Sequence, residues 1–417
     1  MMILGASALQ VPAIKKAKEL GYKVILVDYD ENAVGFSLAD VKLVVSTMDQ
    51  EEVYRQALVY QPDVVITSTS DGPVRTAAYV NEKLGKRPDL SYMDSFCATV
   101  KSDMRKRLKE NGVPIPEYYA AADFEGFRDA VERLGGYCIV KPADNAGSRG
   151  VVLLEGKKGS GDGSAGREGC GRRDGNENEG GEEGLRAVYE YSRSHSRNGV
   201  VMAEEFMSGA EVSVEALTVE GETHIVAITD KYITPPPYFV ELAHCEPSRL
   251  EREVQEQIRQ VALQAVKAIG LCNGPSHTEI KVTPQGPKVV ELAARLGGDF
   301  ITSKLVPLST GVDLVGASVE LAAGGKVDVR PKWQGGAAIH FLPAGEGIIR
   351  KISVAEEVYR LEGVEEVDIY KKPGDEVHGT KSSNDRLGHI ITCAPTPEEA
   401  MEIGRRAMGF ITVEWER

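Results

Sequence analysis

The sequence lacks the marks of several protein classes. Its 417 residues contain no apolar run near the ~20 residues that a membrane-spanning helix needs. The first residues, Met1 to Gly5, carry neither a basic region nor a small-residue cleavage site, so we expect no secretory signal and a cytoplasmic location. The six cysteines stand singly, without a Cys-x-x-Cys pair, which argues against a disulfide framework and against a zinc site.

A net positive charge is also missing. The chain has 49 Lys and Arg residues against 63 Asp and Glu residues, a formal net charge of −14. Because nonspecific nucleic-acid binding depends on a basic surface, we expect no nucleic-acid partner. The lack of a long apolar run predicts that the chain has no membrane partner. An acidic protein that binds an anionic nucleotide must instead concentrate positive charge at one site.

Strand and helix signals alternate along the first 95 residues, as in an open parallel sheet. We predict strands at residues 2–4, 23–28 and 63–67, and helices at 11–20, 51–60 and 74–84. The region is Rossmann-like, but residues 5–10 lack the full Gly-x-Gly-x-x-Gly fingerprint of dinucleotide binding. The pattern favours a purely architectural role over a ribose site at Asp28.

Two further regions follow: a domain at residues 96–330 and a small C-terminal α/β module at 331–417. We predict helices at 101–111, 124–134, 250–269 and 397–408, strands at 137–142 and 151–154, and hairpins at 211–229 and 277–291. Residues 156–184 have no Val, Ile, Leu or aromatic residue and cannot bury enough apolar surface to order themselves, which predicts a disordered insertion. Its basic residues 171–173 are offset by neighbouring acids, so a linker is favoured over a nucleic-acid contact.

A pair of acids lies in the second hairpin. Glu279 and Glu291 fall on adjacent antiparallel strands, and period-two alternation is consistent with both facing one side. Two carboxylates held together require a counter-ion, which points to a metal site; solvated strand edges are the alternative. Arg295 and the glycines Gly297 and Gly298 follow, and their donors suit an anionic intermediate.

Two lysines and an acidic stretch are candidates for nucleotide binding. Lys141 ends a strand before Gly147-Ser148-x-Gly150, a spacing that suits a phosphate-binding lysine under a mobile loop. Lys101, at a helix start, is by itself typical of a surface lysine. The adenine and ribose candidates are Glu204, Glu205, Phe206, Met207 and Glu211. Ordinary edge-strand acids remain the alternative for this stretch.

Taken in order, these motifs resemble the ATP-grasp superfamily, in its carboxylate–amine ligase branch. The resemblance rests on Lys101, Val140-Lys141-Pro142, Gly147-Ser148-x-Gly150, Glu204-Glu205-Phe206-Met207-x-Gly209-x-Glu211, His277-x-Glu279 and Glu291-x-Ala293-Ala294-Arg295-x-Gly297-Gly298. It covers nearly the whole chain and implies an α/β and α+β fold. A Rossmann-like pre-ATP-grasp domain would precede a two-part ATP-grasp fold and a C-terminal module similar to that of L-amino acid ligases.

The resemblance implies a role for each motif. Lys101 and Lys141 would bind the α- and β-phosphates of ATP, under a loop from Gly147 through Ser148 to Gly150. Glu204 and the backbone near Glu205, Phe206 and Met207 would meet adenine, and Glu211 the ribose. Glu279 and Glu291 would hold one or two Mg²⁺ ions, with Mn²⁺ a possible substitute. Arg295, Gly297 and Gly298 would stabilise an acyl phosphate, and His277 would face the acceptor, although a buried core histidine fits the position too.

One position departs from the family pattern. Many ATP-grasp enzymes carry asparagine two residues after the second metal-binding glutamate, where this chain has Ala293. The resemblance implies an ATP- and Mg²⁺-dependent carboxylate–amine ligase that acts through an acyl phosphate on small molecules, with a homodimer as a possible assembly. Alternatives are a bicarbonate- or carbamate-activating enzyme of the purine or carbamoyl-phosphate type, and a catalytically silent ATP-binding regulator. We expect the acceptor pocket among residues 232–244, His277, Arg295 and 382–386, with a rigid Pro235–Pro237 loop.

Overall fold

The computed structural model describes residues 1–86, 88–144, 150–155, 181–236 and 238–416. These residues form two compact units. The first comprises Met1–Ile115, Ser208–Thr234 and Phe239–Arg417, and the second comprises Pro116–Met207 and Pro235–Tyr238.

The first unit begins with a four-stranded parallel sheet in the order β3-β2-β1-β4. Its strands are β1 (Met2–Leu4), β2 (Ile25–Asp28), β3 (Val41–Val44) and β4 (Val65–Thr67). The helices of this part are α1 (Val11–Glu19), α2 (Gln50–Tyr60), α3 (Gly72–Lys83), α4 (Tyr92–Ser95) and α5 (Lys101–Glu110). The predicted strands and helices are confirmed, and β3 was missed because its alternating, partly exposed residues give a weaker signal than the apolar runs of β1 and β2.

Asp28 has an architectural role. Its Oδ2 accepts a hydrogen bond of 2.7 Å from the backbone of Ala6, and its Oδ1 one of 3.0 Å from the backbone of Asp30. The carboxylate is buried and joins the loops that follow β1 and β2. Both of its oxygens are occupied by the fold, in line with the architectural interpretation.

The second unit has its own four-stranded antiparallel sheet, in the order β5-β8-β6-β7. Its elements are β5 (Tyr118–Ala121), α6 (Phe124–Arg133), β6 (Cys138–Pro142), β7 (Val152–Leu154), α7 (Glu182–Ser194) and β8 (Val201–Glu205). Phe124, Phe127 and Tyr189 pack against the strands to form its core.

Helix α7 corrects the expected end of the insertion. Residues 156–180 lie outside the described part of the chain, but Glu182 already begins α7, so residues 182–184 are helical. The apolar residues by which α7 packs against the core of this unit, Leu185, Val188 and Tyr189, come only after these three residues. Glu182 and Glu183 lie in the first turn of α7, where acids stabilise a helix through its dipole. Composition alone did not reveal this helix start.

Among the described residues, the rest of the first unit contains eleven strands and four α-helices. The strands are β9 (Ala210–Val219), β10 (Glu222–Ile233), β11 (Glu241–Glu246), β12 (Gly274–Thr283), β13 (Gly286–Ala293), β14 (Gly336–Leu342), β15 (Glu346–Val354), β16 (Val364–Ile369), β17 (Glu376–His378), β18 (Gly388–Ala394) and β19 (Ile411–Glu416). The helices are α8 (Arg252–Ala268), α9 (Val306–Thr310), α10 (Leu314–Ala322) and α11 (Pro397–Met408), with a π-helical turn at Ile301–Leu305.

Eight of these strands form one antiparallel sheet in the order β13-β12-β9-β10-β11-β14-β18-β16, and β17-β15-β19 form another. Both predicted hairpins are confirmed. The β9–β10 turn has positive φ at Glu220 (51°) and Gly221 (83°), the backbone of a type I′ turn that matches the twist of paired strands.

The large sheet runs through the predicted domain boundary at residue 331. Strand β14 pairs with β11 on one side and with β18 on the other. Ile339 and Ile391 from these two strands share a hydrophobic core with Leu217 and Leu296. The division at 331 stays a prediction, but the residues on either side of it share a sheet and a core.

In the described ranges, no single helix is both long and apolar enough to cross a bilayer. Ile301–Thr310 and Leu314–Ala322 reach that length only as a pair, bent by 114°.

Candidate active site

The two acids of the second hairpin face each other across the sheet. Glu279 of β12 is the register partner of Glu291 of β13, one of the two edge strands of the large sheet. Directly opposed residues present their side chains on the same face, so both carboxylates lie together, as the sequence predicts. A β-bulge immediately follows Glu279 in this pairing.

Lysines compensate this pair. Lys101, the first residue of α5, forms an ion pair with Glu291 and is buried, unlike an ordinary surface lysine. Lys231 of β10 places its Nζ 2.6 Å from Glu279 Oε1. Each carboxylate therefore already has a cation beside it in the folded chain, which lowers the cost of holding two like charges side by side.

Lys231 is the most highly compensated cation of the site. Its side chain is 4% exposed, and its Nζ also lies 3.0 Å from Glu211 and 3.6 Å from Glu241. Burial works to lower the pKa of Lys231, but the charges of Glu279, Glu211 and Glu241 raise it well above its usual value. Conversely, although burial favours its neutral form, the charges of Lys231 and His277 hold the pKa of Glu279 well below its usual range.

Glu211, the predicted ribose ligand, lies in this same cluster. Besides Lys231, it accepts a hydrogen bond of 3.2 Å from Lys281 of β12. Its carboxylate is bracketed by two ammonium groups, so a ribose hydroxyl would have to share it with them.

His277 lies between two acids. Its Nδ1 is 2.6 Å from Glu215 Oε1, and its Nε2 is 3.5 Å from Glu279. Burial works to lower the pKa of His277, but the charge of Glu215 and the hydrogen bonds to both acids raise it to about 9. The side chain is thus a buried imidazolium at neutral pH, and its role toward an acceptor stays a prediction.

Gly297 packs against this pair. A Cβ at position 297 would lie 2.7 Å from Glu215 Oε2 and 2.8 Å from His277 Nδ1. A glycine is needed here for close packing, and the role of Gly297 toward an acyl phosphate stays a prediction. The neighbouring Leu296 and Gly298 line a water-sized cavity of about 10 Å³ with Ser68 and Thr69.

Arg295 is held by contacts from two directions. Its Nε donates to Asp71 Oδ1 at 2.8 Å, and its Nη1 donates to the backbone carbonyl of Leu296 at 3.0 Å. Just beyond it, Asp299 and Phe300 both have positive φ, 48° and 63°, a backbone conformation that non-glycine residues rarely adopt. Strain of this kind is concentrated at functional sites.

Parts of the predicted acceptor region come together. Arg386 donates to Glu241 at 3.0 Å and to Asp299 at 2.9 Å, and His244 lies 3.5 Å from Asp299. Burial works to raise the pKa of Asp299, but His244 and Arg386 hold this pKa below its usual range. Pro235 and Pro236 belong to the other unit, and Pro237 lies outside the described residues.

In the second unit, two predicted nucleotide ligands pair with each other. Lys141 of β6 and Glu204 of β8 lie 2.6 Å apart, and both are buried. Glu205 Oε2 accepts from the backbone of Glu117 at 3.1 Å, and the Phe206 ring packs edge-on against Tyr137.

The remaining predicted ligands of this unit are Met207 and the loop from Gly147 to Gly150. Met207 is the last residue of the segment Pro116–Met207. Gly147 and Ser148 lie outside the described residues. Gly150 is described with φ 79°, and a Cβ there would come 2.8 Å from the Cβ of His195.

The acid pair fits a divalent metal ion of the magnesium type. In the described part of the chain, no group of three or more His, Cys, Asp or Glu side chains is arranged to hold a metal. Mg²⁺ needs no such cage, because it binds through one or two carboxylates and completes its shell with water and substrate phosphates. Ala293, where the family often has asparagine, is the register partner of His277 and adds no oxygen ligand.

Two sequence profiles match this chain. Residues 182–303 match a profile described as the ATP-grasp domain, and residues 340–416 match one described as L-amino acid ligase C-terminal domain 2. The first match contains the acid pair, Lys231 and Arg295. Residues 182–303 are therefore similar to ATP-grasp domains.

Relatives of this chain include ligases whose names specify amino acids. It is 24% identical to the L-arginine-specific L-amino acid ligase of Bacillus subtilis over 81% of this chain and 77% of that protein. It is 28% identical to the alanine–anticapsin ligase of Bacillus subtilis (strain 168), over 60% of this chain and 51% of that protein. The chain therefore spans only about half the length of that second relative, and 63% of an uncharacterized protein of Sinorhizobium fredii to which it is 27% identical.

Solved structures show the same fold. An L-amino acid ligase from Bacillus licheniformis superposes with a TM-score of 0.80 at 22% identity, covering 100% of this chain and 98% of that one. A phosphoribosylglycinamide synthetase from Anaerococcus prevotii superposes with a TM-score of 0.74 at 18% identity, covering 100% and 99%.

Several residues of the candidate site were missed in the sequence. Lys231 and Glu215 each interrupt an apolar strand, a signal that could have marked them because an unpaired buried charge is costly. Asp71 gave no local signal, because its partner Arg295 lies 224 residues away.

Proposed function

We propose that the protein is an ATP- and Mg²⁺-dependent carboxylate–amine ligase that forms an amide or peptide bond and releases ADP and phosphate. The observation that carries the proposal is the register pairing of Glu279 with Glu291, each beside a lysine ammonium. The match to an L-amino acid ligase domain and the names of the relatives support amino acids as substrates. Mn²⁺ is a possible substitute for Mg²⁺.

In the proposed reaction, an oxygen of the substrate carboxylate attacks the γ-phosphorus of ATP, and ADP leaves. The amine then attacks the acyl carbon of the acyl phosphate and inorganic phosphate leaves, so that one amide bond forms for each ATP consumed. A metal ion held by Glu279 and Glu291 would neutralise charge on the phosphates. Arg295 offers a fixed guanidinium to the acyl phosphate, and Lys101 and Lys231 supply positive charge near it. The chain binds and orients reactants and needs no covalent nucleophile of its own.

The nucleotide assignments are part of the proposal. Lys101 and Lys141 would bind phosphates, Glu204 and the backbone near Glu205, Phe206 and Met207 would bind adenine, and Glu211 would bind ribose. Because Lys141 pairs with Glu204, and Lys101 with Glu291, these ion pairs must rearrange or share their charge when ATP binds. A cytoplasmic location and a homodimer remain predictions.

A screen of amino-acid pairs tests the activity. The protein is mixed with ATP, MgCl₂ and two amino acids, ADP release is followed by a coupled assay, and product mass is measured. We expect ADP release that depends on both amino acids, with a product whose mass equals their sum less one water.

Glu291→Gln tests the site itself. It preserves shape but removes one metal-binding charge, so we expect ADP release to fall about a hundredfold or more. Glu414→Gln, an exposed change on β19, is the matched control and should leave the rate unchanged. Full turnover in the Glu291→Gln protein would refute the assignment of Glu291.

Two other functions predict different results in the same screen. ADP release with bicarbonate and without amino acids would favour a bicarbonate- or carbamate-activating enzyme. Tight ATP binding without ADP release across the panel would favour a silent regulator.

A further inference from the structure

The Arg295 guanidinium is fixed through two of its three nitrogens. Asp71 accepts from Nε and the Leu296 carbonyl accepts from Nη1. For Nη2, no hydrogen-bond partner is found in the described ranges, so this nitrogen is available to an anion. Burial works to lower the pKa of Arg295, yet the charge of Asp71 and the hydrogen bond to it raise this pKa above its usual value.

The side chain of Asp71 contacts Arg295 and does not cap its own helix. It occupies the N-cap position of α3, but its side chain accepts no hydrogen bond from that helix. Aspartates at the same position of three other helices do cap: Asp49 in α2, Asp123 in α6 and Asp313 in α10 each accept from a backbone N–H of their own helix. N-capping is the usual use of aspartate at this position, so the carboxylate of Asp71 is directed away from its local partner toward Arg295.

The loop that carries Asp71 is itself held in place. The buried Gln10 donates from Nε2 to Thr69 Oγ1 at 2.8 Å and to Ser70 Oγ at 2.9 Å. On the other side, Leu296 donates from its backbone N–H to the Ser68 carbonyl at 2.8 Å. The loop and the Arg295 segment are therefore joined by a backbone bond as well as by the ion pair.

Arg295 also has competing partners. The charges of Glu291 and Glu279 attract the same guanidinium, as their effect on its pKa indicates. An arginine side chain has many rotamers, and without a fixed anchor it would be free to turn toward the acid pair. That orientation would remove a donor from the reacting phosphate and a carboxylate from the metal.

We propose that Asp71 is a positioning residue, which anchors the Nε edge of Arg295 so that Nη2 is presented to the acyl phosphate and withheld from Glu291. The inference rests on the proposed ligase function. Through Asp71, the N-terminal parallel-sheet region contributes to a reaction whose other proposed residues lie on later segments of the chain.

The kinetic test compares Asp71→Ala and Asp71→Asn with Asp49→Asn. We expect Asp71→Ala to lower kcat about 10- to 100-fold while the KM for ATP changes less than about twofold, because loss of orientation affects the transition state more than nucleotide binding. Asp71→Asn keeps an acceptor oxygen and should be intermediate. The acyl phosphate should also be lost to water, so the ratio of ADP to amide product should rise above that of the unaltered protein.

Asp49→Asn controls for the loss of an N-terminal helix charge and should leave kcat and this ratio unchanged. A purely structural role for Asp71 would lower the amount of active protein without changing either the ADP-to-product ratio or the KM. An Asp71→Ala protein with unchanged kcat and an unchanged ratio would overturn the inference. If Asp71→Ala does not fold, as judged by circular dichroism, the same comparison is made with Asp71→Asn.

A second measurement does not depend on activity. In protein labelled with ¹⁵N at arginine Nε, the Arg295 signal is assigned by its loss in Arg295→Lys. We expect its proton to exchange slowly in the unaltered protein and in Asp49→Asn, and at least tenfold faster in Asp71→Ala. An unchanged exchange rate in Asp71→Ala would refute the anchor. Faster exchange in a protein that ligates no pair of substrates would instead support the anchor and refute the proposed function.

Discussion

Single buried charges in this protein are compensated by specific partners. Lys231 is enclosed by Glu211, Glu241 and Glu279, and His277 by Glu215 and Glu279. A buried ion without such partners would cost several kcal/mol, so the strands can carry these charges only as a set. The set leaves acidic oxygens and cationic nitrogens side by side, which is what binding a metal and a phosphate together requires.

Glu246 is a buried carboxyl group of a different kind, because its hydrogen-bond donors are neutral. Ser309 Oγ donates to it at 2.5 Å and Thr229 Oγ1 at 2.7 Å. Burial raises the pKa of Glu246 to about 8, against the lowering effect of the two hydroxyls and with a small addition from the charge of Glu215. The folded protein therefore holds this carboxyl in its protonated form at neutral pH.

The raised pKa predicts how stability changes with pH. Because the folded pKa of about 8 lies above the ordinary value of 4.5, the contribution to stability is fully present below pH 4.5 and is lost as pH rises through about 8. Glu246→Gln imitates the protonated form. We expect it to match the unaltered protein near pH 5 and to exceed its free energy of unfolding at pH 8 by up to a few kcal/mol, measured by urea unfolding at both pH values.

The exposed Glu251, at the start of α8, provides the control. Glu251→Gln should change the free energy of unfolding only slightly, and by the same amount at pH 5 and at pH 8. If Glu246→Gln and the unaltered protein show the same pH dependence, then Glu246 is charged in the folded state and its pKa is not raised.

At the scale of elements, strands β9 and β12 determine where the charged side chains meet. Their antiparallel register pairs Glu211 with Lys281 and Glu215 with His277. A shift of either strand by one residue would move every one of these side chains to the opposite face of the sheet. Just before β9, the chain also approaches the end of β12 closely.

Gly209 makes that approach possible. It has φ 128°, and a Cβ there would lie 1.9 Å from the carbonyl oxygen of Val282 at the end of β12. We expect Gly209→Ala to lower the free energy of unfolding by about 2–4 kcal/mol, because it adds both backbone strain and a clash with backbone that cannot move aside cheaply. The measurement is urea unfolding followed by circular dichroism.

Gly286 is the matched control for this substitution. It also has positive φ, 109°, but a Cβ there would meet nothing within 4 Å. Gly286→Ala should therefore cost only the strain, about 1 kcal/mol. Equal losses in the two variants would show that the contact with Val282 is unimportant.

At the scale of the whole molecule, the last strands of the chain complete the main sheet of the first unit. A truncation after residue 330 would remove β14 and β18, leave the β11 edge unpaired and expose the core that Ile339 and Ile391 cover. We expect the 1–330 fragment to be aggregated or only partly folded, as judged by size-exclusion chromatography, far-UV circular dichroism and binding of a hydrophobic dye.

The control fragment is 116–207, which contains a complete sheet and its own core. It should remain soluble and show a cooperative thermal transition. Cooperative unfolding of the 1–330 fragment would contradict the shared core, and would instead support an independent domain with a boundary at 331.

The sequence by itself determined most of the elements and the order of the motifs that resemble the ATP-grasp superfamily. Local periodicity, glycines and turn residues indicate β1 and α11 within a residue or two, and the β9–β10 hairpin except for the last four residues of β10, because these signals come from neighbours along the chain. The pairing of Glu279 with Glu291 was also predictable, since a short turn joins their strands and fixes the register.

The tertiary structure alone decided which charges meet. Lys231 reaches Glu279 across β9, and Asp71 reaches Arg295 over 224 positions, contacts that depend on strand order and on packing between distant segments. The continuation of the sheet through β14 and β18 is likewise a long-range pairing. Local patterns cannot fix such contacts, because the energy that selects them appears only when the whole sheet and its core are assembled.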